Sequence, residues 1–472
     1  MNTFVNGAFQ VPDSRTENGA LTFSTSLDTC VDLFFRMGAS RGRTDEVAAL
    51  FAKAYVESPE IAVRLALWAR DVRGGAGERA IFRAMFIQLP DVVQIALLDK
   101  VVEVGRWDDL LVAFDAGSYD VQAAIAEKWY DAVVNKNDGL AAKWCPRKGI
   151  VAATMRGFWE MSPKAFRKTL VNATNVVETP MCAKDWDSIN FSHVPSVAAS
   201  RYNKAFYKNA PDAYKAYKDA LVKGEAKINA SAIFPHDVVR PALYGGGNTD
   251  SDVINAQWKA LPDFLEGKAN DILVMSDVSG SMTVPVSGQI RAIDISIALG
   301  LYISERQTGA FRDLVLTFSE HPTFHKVRGA GIVDRVNNLN RANWGMSTNI
   351  EAAFKTILDV AVKNEVPAAD MPKMLIILSD MAFDRCARGT NFQNAQRLYA
   401  QAGYEMPKVT FWNLNGRPND VPVRFDQSGT ALVSGFSPAI MKSLLAAKQF
   451  TPESIMKETI LNPRYDVPGI TC

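Results

Sequence analysis

The sequence predicts a two-part protein: an α-helical solenoid of stacked hairpins followed by a doubly wound, mostly parallel α/β domain. Three observations carry this. From Thr44 to Ala260 apolar residues recur at helical spacing between regularly placed breaks. After about residue 270, short continuous apolar runs alternate with helical stretches. The change of rhythm follows a Gly-rich joint, Tyr244-Gly245-Gly246-Gly247-Asn248-Thr249-Asp250. At ~150 residues per domain, the 472 residues fit two or three domains.

The helical half is expected over 29–268, behind an N-terminal arm, 1–28. Thr44 with Asp45 and Glu46 reads as a helix start with acidic residues in the first turn. Ser58-Pro59-Glu60 opens the next helix, and Ile61, Leu65 and Trp68 then share one face. Breaks at Gly74-Gly75, Pro90, Gly105 and Gly117 leave medium-length amphipathic segments, the rhythm of stacked helical hairpins. The joint from Arg70 to Arg79 lacks a Walker lysine and follows a helix, so Arg–Glu pairing is expected there. Trp107 is expected to pack inward, Cys145 to be a small buried apolar residue, and His193 and His236 to be structural.

The α/β half is expected over 269–445. Its strands are read at 272–275, 314–318, 374–378 and 409–412. Its helices are read at 290–305, 349–362, 391–402 and 438–447. The tail, 446–472, is expected to return to the helical half and help close it.

Composition excludes several classes. Apolar residues at 48% and charged residues at 22% are ordinary for a globular protein. The net charge of +1, from 52 Lys+Arg against 51 Asp+Glu, demands no nucleic-acid partner for the whole chain. No apolar run approaches the ~18 residues that cross a bilayer, and the first twenty residues lack a signal-peptide pattern. Five scattered cysteines argue against a disulfide framework or zinc site. A reduced, cytoplasmic setting is expected.

The chemistry concentrates at three loops. Asp277-Val278-Ser279-Gly280-Ser281 follows the first strand, Thr348 stands in the loop Gly345-Met346-Ser347-Thr348-Asn349, and Asp380 follows the third strand. In a parallel sheet all three lie at the carboxyl ends, where such folds bind ligands. Asp277, Ser279, Ser281, Thr348 and Asp380 offer two carboxylates and three hydroxyls. That is a hard-oxygen set suited to Mg2+, with Mn2+ as the alternative. Asp384 is read as a solvated loop charge rather than a catalyst.

These residues resemble the von Willebrand factor A family, whose metal-ion-dependent adhesion site reads D-x-S-x-S, then T, then D. The five residues match in order across roughly 269–445. The resemblance implies a non-catalytic binding device in which a partner carboxylate, or water, fills an open metal position. The competing reading is a nucleotide-binding α/β fold in which Asp277 caps a helix. The lack of a G-x-x-x-x-G-K-[ST] or G-x-G-x-x-G after any strand weakens it.

Residues 136–227 hold sixteen basic and eight acidic side chains, so charge is polarised locally. Lys164, Arg167 and Lys168 share a helix face, and Arg201, Lys204 and Lys208 repeat the spacing. Lys143, Arg147 and Lys148 form a basic turn. Tyr202, Phe206, Tyr207, Tyr214 and Tyr217 interleave with lysines. This pattern fits RNA phosphates and bases. It also fits a solvated lysine face over an aromatic core stripe, which periodicity alone favours. The stretches 68–79 and 105–111, with the order helices then A-type domain, resemble the TROVE module of the Ro family. The 143–149 turn and Val194-Pro195-Ser196 resemble an uncharacterised viral, bacterial and plant Ro-like group. The resemblance implies a ring of HEAT-like helical hairpins bridged by the A-type domain, single-stranded or small structured RNA as ligand, and a monomer. Two functions are therefore expected to compete. One is a non-catalytic RNA-binding protein with a metal site for an acidic partner. The other is a protein-interaction scaffold with no RNA role. A metal-dependent phosphate-ester hydrolase using Asp277 and Asp380 is a distant third.

Overall fold

The computed structural model of the chain describes residues 11–230, 232–244, 250–269, 271–318, 320–342, 348–386 and 389–467. The glycine joint at 245–249, residues 345–347 of the threonine loop, and Cys472 lie outside the described residues. The chain divides into two compact units, each assembled from separate stretches. One gathers Met1–Glu57, Phe234–Ser251 and Asp263–Asn462; the other gathers Ser58–Ile233, Asp252–Pro262 and Pro463–Cys472. The boundaries drawn from sequence at 28, 268 and 445 run along the chain, whereas these units interleave. The reason is that the first helices of the chain bury their apolar faces in the α/β unit rather than the helical one.

The α/β unit is built on a six-stranded sheet. Its strands are β1 (Ile272–Ser276), β2 (Leu314–Thr317), β3 (Phe324–Lys326), β4 (Met374–Ser379), β5 (Lys408–Asn413) and β6 (Thr430–Ser434). The spatial order is β6-β5-β4-β1-β2-β3, parallel except for β3, which runs antiparallel beside β2. Strands β1, β4 and β6 are buried along their whole length, as continuous apolar runs covered on both faces must be. Four strands coincide with the runs read from sequence. The three-residue edge strand β3 and the strand β6, with only Ala431-Leu432-Val433 apolar, carried too short a signal. The first helix begins at Ala292 rather than at residue 290, because Ile290–Arg291 pairs with Pro285–Ser287. A further helix, Ile332–Asn340, was not legible.

Helix Ala292–Arg306 is buried on nearly all sides and lies against β1. Gly300 permits this approach, since a Cβ there would stand 2.4 Å from Ser276 Oγ. Helix Pro235–Tyr244 is tied to it at Asp294, which is fully buried and accepts from Arg240 Nε at 3.2 Å and Tyr244 Oη at 2.6 Å. Helix Thr29–Met37 packs on β6, and its C-cap Gly38 meets the backbone of Gly435, where any Cβ would clash at 2.4 Å.

The helical unit is a series of short helices packed on near neighbours in sequence, among them Pro59–Arg70, Arg79–Phe86, Leu98–Val104 and Tyr119–Tyr130. Its central polar contact is Asp109, which is fully buried. It accepts from Arg70 Nε at 2.6 Å, Arg83 Nε at 2.8 Å and the Arg106 backbone N–H at 2.9 Å. Arg70, from the joint, and Arg83, from the helix after it, thus both reach this one aspartate. Trp107 packs inward against Trp129, ring centroids 5.3 Å apart. Cys145 is buried, which pushes its thiol up to about 12. Residues Pro463–Tyr465 return to this unit, where Tyr465 Oη and Arg464 bond the buried Asp71.

Two stability predictions follow from buried charge. Asp109→Ala leaves Arg70 without its partner, so it should lower the unfolding free energy by ~3–5 kcal/mol in a urea titration. A loss below about 1 kcal/mol would mean that the pair does not organise the joint. His236 is buried between Phe234 and Phe436, and burial lowers its pKa from 6.5 to about 4. A depressed imidazole adds stability above the ordinary pKa and loses it as pH falls from 6.5 toward 4. His236→Phe should flatten that limb of the stability profile, by roughly 2–3 kcal/mol; an unchanged limb would assign it to carboxylates.

Candidate metal centre

The sheet order reverses between β1 and β4, the crevice where open α/β sheets bind ligands. The register pairs Ser276 with Leu378, and the Asp277 N–H continues the ladder to Leu378 O at 2.9 Å. Asp277 therefore leaves β1 opposite Ser379, and Asp380 leaves β4 one residue later. Ser379 Oγ donates to Asp277 Oδ2 at 2.6 Å and accepts from Met381 N–H at 3.1 Å. Met381 is buried with φ 65°, a left-handed conformation that costs a bulky residue ~1 kcal/mol. Such outliers cluster where a turn must aim a neighbouring side chain.

The Asp277 loop closes on itself. Ser279 N–H donates to Asp277 Oδ1 at 2.9 Å, and the Ser279 and Ser281 hydroxyls lie 3.1 Å apart. The Ser281 hydroxyl stands near enough to the Asp380 carboxylate to lower its pKa, and Asp380 Oδ1 accepts from Ala382 N–H at 3.2 Å. Four of the five expected ligands are thus neighbours at the ends of β1 and β4. Thr348 stands one step away: its hydroxyl donates to Ala382 O at 2.6 Å and accepts from Asn18 Nδ2 at 2.9 Å. Asp384 is not a solvated loop charge. It accepts from Thr348 N–H at 3.0 Å and Thr348 Oγ1 at 3.1 Å, so it fixes the threonine in place.

The electrostatics suit a divalent cation. Asp277 is fully buried and Asp380 is 7% exposed. Burial, and then the charge of Asp380, pushes Asp277 up to about 7; burial also raises Asp380. Among the described residues, the two adjoining buried carboxylates are bonded only by hydroxyls and N–H groups and have no paired positive charge. No group of three or more His, Cys, Asp or Glu side chains poised for a metal occurs among the described residues. The donor set is therefore carboxylate plus hydroxyl, which fits Mg2+ or Mn2+ and not zinc. Asp277, Ser279, Ser281 and Asp380 would hold the ion, directly or through water, with Thr348 beside them. The ion would supply a hard Lewis-acid centre for one further oxygen ligand.

Sequence reasoning missed the surroundings of the cluster. Asp420 is 3% exposed, its Oδ2 has no hydrogen-bond partner among the described residues, and burial pushes it to about 6. Asn18 and Glu17 come from the N-terminal arm. Their partners lie hundreds of positions away, so no local pattern could have marked them.

On the helical unit, Lys148, Lys164, Arg167, Lys168, Arg201, Lys204 and Lys208 are exposed. Arg147 is exposed but bonded to Thr174 Oγ1 at 2.8 Å, and Lys143 is paired with Glu178 at 2.9 Å. The interleaved rings are largely sorted away from these cations. Phe206 and Tyr214 are buried in a cluster with Ile189, Phe191 and Val194, and Tyr202 and Tyr217 pack against it. Tyr207 remains 42% exposed.

Comparison with known proteins gives three findings. A domain of unknown function, DUF7788, matches residues 271–463, and another, DUF2828, matches 16–91 and 152–270. An uncharacterized protein of Acanthamoeba polyphaga mimivirus is 30% identical over 517 residues, covering 96% of this chain and 88% of that protein. The crystal structure of the Deinococcus radiodurans RO (RSR) protein aligns at a TM-score of 0.40 with 14% identity, over 95% of this chain and 96% of that one.

The buried charge predicts an unusual variant. In EDTA at pH 8, Asp277→Asn should stabilise the protein, by on the order of 2 kcal/mol, because a carboxylate with a raised pKa destabilises the fold above that pKa. Mg2+ should raise the melting temperature of the wild type and not of the variant. A variant that loses stability in EDTA would sink this reading of the cluster.

Proposed function

The chain belongs to the family of this mimivirus protein, and from that premise we propose a non-catalytic RNA-binding protein with a second, metal-dependent binding site. The helical unit binds single-stranded or small structured RNA through Lys148, Lys164, Arg167, Lys168, Arg201, Lys204 and Lys208. The observation that carries this is their exposure in a unit with local basic excess, with no ion-pair partner for any of them among the described residues. Lysine and arginine left free in this way can neutralise phosphates and release counterions. Lys143 and Arg147 flank the surface with part of their hydrogen-bonding capacity engaged. The resemblance to Ro proteins supports the same ligand. In the α/β unit, Asp277, Ser279, Ser281, Thr348 and Asp380 hold Mg2+, and a partner carboxylate completes the coordination. The setting we propose is the cytoplasm, the host's if the source is viral. No helix among the described residues is long and apolar enough to cross a membrane.

One observation favours a second reading, a protein-interaction scaffold without RNA. The rings that would stack on bases are mostly inside the core. Binding through the cations alone would be weakly selective and carried by phosphates.

Fluorescence anisotropy with a labelled single-stranded RNA separates the two. The RNA reading expects binding at ~50 mM salt that falls at least a hundredfold by ~200 mM. The triple reversal Lys164→Glu, Arg167→Glu, Lys168→Glu should weaken it tenfold or more at fixed salt. No binding at low salt moves the function to the scaffold reading.

A further inference from the structure

The N-terminal arm lies across the loops of the metal centre, within the same compact unit. Thr16 Oγ1 donates to Phe383 O at 2.6 Å, and Asn18 Nδ2 donates to both Thr348 Oγ1 at 2.9 Å and Ala382 O at 2.7 Å. Gly19 bridges to Asp384, and Phe23 exchanges backbone hydrogen bonds with Val421 at 2.9 and 3.0 Å. The arm thus touches the threonine loop and the loop after Asp380, and runs beside the segment that follows Asp420.

Between Thr16 and Asn18 stands Glu17. Its carboxylate pairs with Arg417 at 2.6 Å, on a half-exposed rim. Its charge acts on Asp380 and on Asp420, whose buried Oδ2 has no partner among the described residues. The arm therefore brings a further, half-exposed carboxylate to the rim of a site whose expected external ligand is a carboxylate. Arg417 holds it at the edge while the backbone on either side is pinned.

We propose that Glu17 is the site's own ligand: with a divalent cation bound, its carboxylate turns from Arg417 to the open coordination position, so that an outside carboxylate must displace it. This rests on the metal reading given above. Thr16 and Asn18 act as positioning residues, since their hydrogen bonds fix the backbone from which Glu17 reaches. The device makes the resting site self-satisfied. It sets a threshold that only a partner able to compete with a tethered carboxylate can pass.

Calorimetric titration of the full chain with Mg2+, alone and in 10 mM acetate, tests this. Glu17→Gln is exposed and nearly isosteric, so it should fold. The expected result is Mg2+ affinity about tenfold weaker in Glu17→Gln and recovered by acetate, with the wild type indifferent to acetate. Hydrogen exchange of residues 14–24 should slow on adding Mg2+ to the wild type and not to the variant. Unchanged affinity, acetate response and exchange in Glu17→Gln would overturn the self-ligand while leaving the metal site intact. A wild type that binds no Mg2+, like Asp277→Ala, would overturn the metal reading and this inference together.

Discussion

The parallel pairing of β1 with β4 is the constraint on which the rest of the α/β unit depends. Both strands are buried along their length, so a slip of one residue would turn every apolar side chain to the wrong layer. The register is therefore fixed by the core, far from any chemistry. It has a local consequence at the strand ends. Asp277 must face Ser379, and Asp380 must emerge one position later. The left-handed Met381 and the Ser379 hydroxyl then hold the turn that keeps Asp380 against Ser281. The site's geometry is thus inherited from hydrophobic packing of strands that contain none of its ligands.

Buried carboxylates elsewhere in the chain show why this cluster stands apart. Asp109 meets Arg70 and Arg83, and Asp294 meets Arg240 and Arg291. Against its burial, Asp71 is held below the usual carboxylate range by Arg464. Each of these charges has a guanidinium and serves to join helices. Asp277 and Asp380 are as deeply placed, but hydroxyls and backbone N–H groups surround them. Unlike these three, Asp277 and Asp380 have no guanidinium partner among the described residues, which is the ground for the cation proposed there.

Much of this was legible in the sequence because it is written in local patterns. Runs such as Ile272-Leu273-Val274-Met275 announce buried strands, and D-x-S-x-S followed by Thr348 and Asp380 announces polar side chains that the strand ends bring to neighbouring loops. What could not be read depends on distant partners. β6 has three apolar residues and is a strand only because β5 is beside it. Asp384 looked like a loop charge until Thr348, 36 positions earlier, was seen to donate to it. Helical spacing already favoured an aromatic core stripe under a solvated lysine face, and Phe206 and Tyr214 lie inside with Lys204 and Lys208 outside, but it could not name Ile189, Phe191 and Val194 as the rings' neighbours. The interleaving of the two units is the largest illegible feature, since nothing in residues 29–57 distinguishes a helix destined for a sheet from one destined for a helical stack.

That interleaving bears on how the chain can be made. Thr22 bonds Val421, 399 positions downstream, and helix Thr29–Met37 is buried against β6. During translation most of the helical unit emerges with its neighbours already synthesised. The opening segment, with Val31, Leu33, Phe34 and Phe35 wholly or almost wholly buried in the finished protein, can pack early only on helix Thr44–Glu57; its cover by β6 waits until the ribosome passes residue 434. Long-range closure of this kind is slow, and it leaves an apolar helix open to chaperones or to aggregation meanwhile. A truncated message would therefore yield a product whose uncovered apolar surface lies at residues 29–37, far from its broken end.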